Sequence, residues 1–158
     1  MKQLATYLND HIAGAMGALE LLDRLLESHQ GKPLEPFFRE LRADITQDLE
    51  VLRKLLHRFS KESVIKKAGA WIAEKMSRAK LKLAGEKAGE LGLVQALEAL
   101  VLGITGKQLL WRALRASLGS SPLLRGADLE KLEERAIEQL ERVEVRRLEA
   151  AHQAFLQA

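Results

Sequence analysis

Four side chains in this sequence combine a metal-ligating or proton-transferring group with a position on or beside an apolar helical stripe. They are His11, Asp48, Glu98 and Glu144. Burying such groups costs free energy unless they are paired or ligate something. His11 falls between Leu8 and Ala15, and Asp48 between Ile45 and Leu52, each in phase with its apolar neighbours. Glu98 flanks the stripe Val94, Leu97, Val101 and Ile104, and Glu144 is in phase with Ile137, Leu140, Leu148, Ala151 and Phe155. Two chemistries follow. One is structural, a buried His11–Asp48 ion pair or hydrogen bond with Glu98 or Glu144 held by Arg147 or, protonated, by each other. The other is a carboxylate/imidazole metal site inside a helical bundle, and the bland pairing is the preferred reading.

The elements that must position these residues are helices. Apolar positions recur at steps of three and four. The first helix spans about 3–28 (Leu4, Leu8, Ala15, Leu19, Leu22, Leu26), and His29-Gln-Gly-Lys-Pro33 stops it. The second spans about 34–59 (Phe38, Leu41, Ile45, Leu52, Leu55, Phe59) and folds back on the first. A third, over roughly 63–83, carries Val64, Ile65, Trp71, Ile72 and Met76, with Ser63 as its cap. At about 1.5 Å per residue it is long enough to cross from one end of a bundle to the other. The glycine-punctuated stretch 84–92 reads as a loop. Helices over about 93–118, interrupted by Gly103 and Gly106, and over 128–155, capped by Asp128, form a second hairpin turned near residue 122. An alternative topology pairs the third and fourth helices around Gly85 to Gly92. If the turns centre near residues 31 and 122, His11 and Asp48 share one level, and Glu98 and Glu144 another.

The composition agrees with one helical domain over 1–158: 47% apolar, 30% charged and few aromatics. No window approaches 18 consecutive apolar residues, and the N-terminus lacks a signal-type apolar run, so the expected location is cytoplasmic. Having no cysteine excludes disulfides, thiolate metal sites and cysteine nucleophiles. The net charge is +3, with basic residues gathered between Lys61 and Lys82 and acidic ones in the last helix. A solvated face is the simplest account, and neither nucleic acid nor a membrane is expected as a partner. Gly103-Ile-Thr-Gly-Lys107 matches a phosphate loop only in part, since Val101 stands where a glycine is needed and Gln108 where Ser or Thr is needed. Trp71 and Trp111 lie on apolar faces and read as core.

Two hairpins joined by a long crossing segment resemble the ferritin-like superfamily. In its di-iron members two helices each give a Glu and two each give Glu-x-x-His. Glu149-Ala-Ala-His152 matches one such motif; Lys54-Leu-Leu-His57 has lysine where the glutamate should stand. The resemblance implies a ferritin-like four-helix bundle with an additional crossover helix and an incomplete di-metal motif. The functional expectation is a non-catalytic bundle, a protein-interaction or structural module that binds itself or another protein through a surface including Leu109, Trp111 and the crossover helix. The alternative is a metalloprotein handling iron or peroxide, with iron or manganese on a subset of His11, Asp48, Glu98, Glu144, Glu149 and His152.

Overall fold

Alternation of apolar stripes with polar faces produces four long helices in the computed structural model, which describes residues 2–59 and 89–156. They are α1 (Lys2–Ser28), α2 (Glu35–Phe59), α3 (Glu90–Leu118) and α4 (Leu129–Leu156), with a 3-10 turn at Pro122–Leu124. Among the described residues there is no strand, and the protein is an all-α four-helix bundle. The helix expected over 63–83, with Ser63, Trp71 and Ile72, lies outside the described residues, as do the basic run from Lys61 to Lys82 and most of the expected loop. Gly92, expected in that loop, belongs to the first turn of α3.

The two turns follow from their residues. Gly31 takes the left-handed conformation (φ 72°), which a residue with a Cβ resists. Its N–H donates to Glu35 Oε2 at 2.7 Å, and that bond holds the Glu35 carboxyl below the usual range, helped by Arg39. In the second turn Gly126 has φ 82°, Ser121 accepts from the Leu123 N–H at 3.3 Å, and Pro122 opens the 3-10 turn. Asp128 Oδ1 accepts from the Lys131 N–H at 3.0 Å, which is the N-terminal cap expected there.

Both hairpins are antiparallel, and α1 also packs on α3. Arg112 pairs with Glu133 and Arg115 with Glu130, a register centred on residues 122–123. At the end of α2, Arg58 donates to the carbonyls of Leu123 and Arg125, at 3.3 and 2.6 Å. The C-terminal end of α2 therefore lies beside the α3–α4 turn. Helices α2 and α3 run in the same direction, and Phe59 and Glu90 lie at opposite ends of the bundle.

One continuous core joins all four helices, with Leu8, Leu22, Phe38, Leu41, Leu97, Leu100, Leu110 and Trp111 fully buried. The expected stripe of α2 is buried throughout. That of α4 is rotated. Its buried face is Leu129, Leu132, Glu133, Ala136, Gln139, Val143 and Ala150, whereas Ile137, Leu148 and Phe155 are exposed. Large apolar residues stand on both faces of this helix, so side-chain size alone picked the wrong one. Helix α3 is apolar nearly all round and is the one described helix long and apolar enough to cross a membrane by length and composition. Its inner face forms core; its outer face carries Leu91, Leu102 and Leu109.

Candidate functional site

At one level of the bundle the four helices present His11, Asp48, Lys107 and Gln139. The core periodicity that buries Ile45 and Leu52 carries Asp48 inward with them, leaving it 1% exposed. Lys107 sits between Ile104 and Leu110 on the buried face of α3, and Gln139 between Ala136 and Val143 on that of α4. The Lys107 ammonium donates to Asp48 Oδ2 at 2.5 Å and to Gln139 Oε1, and Gln139 Nε2 donates to the same Asp48 oxygen at 3.2 Å. The amide orientation is forced, because an ammonium can only donate and a carboxylate can only accept. Three side chains from three helices thus close a buried hydrogen-bonded triangle.

Around the triangle the electrostatics are layered. Burial pulls the Lys107 pKa below its ordinary value; the charge and hydrogen bond of Asp48 oppose this, nearby Arg135 adds to it, and Asp44 offsets a little. Arg135 stands 3.5 Å from Asp48 Oδ1 and donates to Gln47. Further out, Arg142 pairs with Asp44 across the same α2–α4 seam. Asp48 Oδ1 is buried and accepts no hydrogen bond from the described residues, and the Arg135 guanidinium is its charge partner.

Beside Asp48 and Lys107 lies a cavity of about 190 Å³ between α1, α2 and α3. Its walls are mainly apolar, including Ala18, Leu49, Leu52 and Ile104, and Asp48, Lys107, Asp10 and His11 supply its polar groups. Half-buried His11 packs edge-on against Tyr7 with ring centroids 4.7 Å apart. Burial lowers its pKa, with Asp10 pulling weakly the other way.

Asp48 and His11 therefore share a cavity, but the expected pair between them is replaced by the Lys107–Gln139 triangle. A lysine on α3 reaches Asp48 with a full charge and three donors, which a neutral imidazole cannot supply. Arg147 holds both Glu98, at 3.5 Å, and Glu144, at 2.6 Å, as expected of a structural pairing. Glu144 is held below the usual carboxylate range by that hydrogen bond. Glu98 lies nine residues from Lys107 along α3, about 13 Å at 1.5 Å per residue, and Glu144 lies five residues from Gln139 along α4. Glu149 is exposed and pairs with Arg146 at 2.9 Å; His152 is also exposed. The six residues are thus spread over separate levels and faces. Among the described residues no group of three or more His, Asp or Glu is gathered closely enough to hold a metal ion.

The rest of the expected surface divides as well. Trp111 is fully buried, so it takes no part in any surface, while Leu109 is 52% exposed. Leu109 belongs to an outward stripe on α3 with Leu91 at 55% and Leu102 at 74%, spaced at helical repeats with Ala113. Gly103 to Lys107 lies within the unbroken α3 helix, which a phosphate loop cannot do. Lys107 and Gln139 were missed by sequence reasoning, although each continues a core repeat of three and four residues. No protein-family model, curated protein or solved structure matches this chain.

Proposed function

We propose that this protein is a non-catalytic, ferritin-like helical module that works by association, with a second copy of itself docking on the outer face of α3. The ferritin-like reading is supported by its path: two antiparallel hairpins, α2 and α3 running the same way, and an interhairpin segment joining opposite ends of the bundle. The non-catalytic reading is supported by the inner triangle, whose charged groups are spent on one another.

The observation that carries the association is the exposed leucine stripe. Leu102 and Leu109 lie almost symmetrically about residues 105–106. In an antiparallel two-fold pairing of α3 with its copy, Leu102 of one subunit meets Leu109 of the other, twice. The same register sets Glu98 opposite Arg112, and both side chains remain about half exposed, at 52% and 53%. Apolar contact and charge complementarity therefore agree on one register.

Sedimentation equilibrium of the full chain tests this. The native protein is expected to dimerise reversibly, Leu102→Glu to be monomeric and still helical, and Leu102→Glu combined with Leu109→Lys to recover the dimer through cross-subunit charge pairs. A native monomer at high micromolar concentration overturns the reading. So does a dimer indifferent to Leu102→Glu, or native protein that pellets with lipid vesicles and never pairs.

A further inference from the structure

One stretch of α1 is covered on the side that faces away from the bundle. Residues nine apart on a helix are separated by about two and a half turns at 3.6 per turn, so they point in opposite directions. Ala13 stands nine residues from core Leu22, Gly17 from core Leu8, and Leu21 from core Ile12. Yet Ala13 is buried, and every residue from Ala15 to Leu22 is buried or half-buried. The same counting on α4 gives the opposite result. Val145 stands nine residues from buried Ala136 and Leu148 nine from buried Gln139, and both are 54% exposed.

The sequence agrees with the burial. Ala13-Gly-Ala-Met-Gly-Ala-Leu19 has no polar side chain in any direction, whereas Val145 and Leu148 stand among Glu141, Glu144 and Glu149. A helix that is apolar all round needs cover on every side. Helices α2 and α3, on which α1 chiefly packs, supply it on two.

The path of the chain names the rest of the cover. Helices α2 and α3 run the same way, with Phe59 and Glu90 at opposite ends, so residues 60–88 travel the length of the bundle on its outside. Helix α1 packs on both α2 and α3; α4 packs on α3 and reaches α2 through Arg142 and Asp44. The routes from α2 to α3 therefore pass over α1 or over α4, and the exposed line of α4 leaves the first. Length agrees: a helix over 61–83 reaches about 33 Å at 1.5 Å per residue, beside about 40 Å for α1. Charge agrees as well. From Lys61 to Lys82 seven basic residues stand against Glu62 and Glu74, and α1 carries Asp10, Glu20, Asp23 and Glu27 against Lys2 and Arg24.

We propose that residues 61–83 dock as an amphipathic helix on the outward face of α1, with Trp71 and Ile72 laid along Ala13, Gly17 and Leu21. The contact ties the two hairpins together from outside, as Asp48, Lys107 and Gln139 tie them from within. It concerns α1 and is independent of self-association through α3.

The chain has no cysteine, so Ser77→Cys takes a single nitroxide spin label. Ser77 stands nine residues from Ala68 and faces away from the apolar stripe. Methyl and amide NMR of the labelled full chain is expected to show loss of the Ala13 and Leu21 signals, recovered on reducing the label, while Val145 and Leu148 keep theirs. Leu21→Glu leaves the inner stripe of α1 intact and is expected to restore the Ala13 signal with helix content unchanged. Loss at Val145 and Leu148 instead routes the segment over α4 and overturns the proposal, as does retention of both sets. Loss at Ala13 that persists in Leu21→Glu overturns the role of the outward line.

Discussion

The two halves of one layer of this bundle solve the same problem in opposite ways. Toward α3 and α4, Asp48 meets Lys107 and the long amide of Gln139, and each buried polar group finds a partner. Toward α1, glycines, alanines and a half-buried imidazole surround an open cavity that Asp48 also lines. Asp48 Oδ2 takes the hydrogen bonds, and Oδ1 lies 3.5 Å from the Arg135 guanidinium of α4. The contrast separates a polar seam that fixes how the two hairpins meet from an apolar space left between α1, α2 and α3.

The largest expected effect tests the satisfied half. Lys107→Met removes the ammonium and leaves the buried Asp48 carboxylate with only the Gln139 amide and the more distant Arg135, a change worth up to about 3–5 kcal/mol. Urea unfolding followed by circular dichroism should show that loss. Pairing Lys107→Met with Asp48→Leu should recover most of it, because replacing a buried ion pair by apolar residues is often close to neutral. If the two single losses add in the double variant, the triangle does not couple the helices and the contrast between the halves disappears.

How much of this layer was readable in advance depends on which residue is considered. Asp48 was legible because the stripe of α2 from Phe38 to Phe59 has one phase only, and the aspartate falls on it. Its partner was not. Lys107 looked like the end of a weak phosphate motif, and a lysine is so seldom buried that its core spacing from Ile104 and Trp111 drew no attention. Gln139 was hidden by the rotation of α4, where exposed Ile137 and Leu148 outline a more apolar stripe than the true inner face of Ala136, Gln139 and Val143. Registers fared better, since a short turn fixes levels by counting alone: Glu98 and Glu144 do share Arg147. The cavity could not be read, because empty space between helices depends on their separation as well as on the residues that face it.

The hollow half is tested by a smaller change of opposite sign. Gly103→Ala adds a methyl group where nothing stands within 4 Å. It should stabilise the protein by up to about 1 kcal/mol through helix propensity. The same denaturation measurement reads it, and a destabilised variant would mean that the backbone at Gly103 is held tightly after all. For scale, Arg42→Ala breaks the exposed pair with Asp23, whose contact is 2.5 Å. Exposed pairs contribute roughly 0.2–1 kcal/mol, so a loss above that range would shift weight from the buried layer to the surface.

The finest distinction concerns His11, which stands at the mouth of the hollow half and faces Tyr7 and Asp10 on its own helix. Across the cavity are Asp48 and Lys107. Burial lowers its pKa in the folded protein below the ordinary value near 6.5. Between that lowered value and about 6.5 the unfolded chain binds more protons than the folded one, so stability rises with pH across the window and is flat above it. Below the window both states are protonated, and the folded state carries the whole cost of a buried charge. The urea midpoint of the native protein relative to His11→Gln should therefore fall as pH drops through this window and stay constant above about 6.5. In Gly106→Leu the added side chain packs on the imidazole, whose Cε1 lies 4.0 Å from where the new Cβ stands, which disfavours the charged form further and moves the fall to lower pH. An unchanged midpoint of that fall would show that the ring draws its environment from α1 alone, and that the cavity and His11 are neighbours without being coupled.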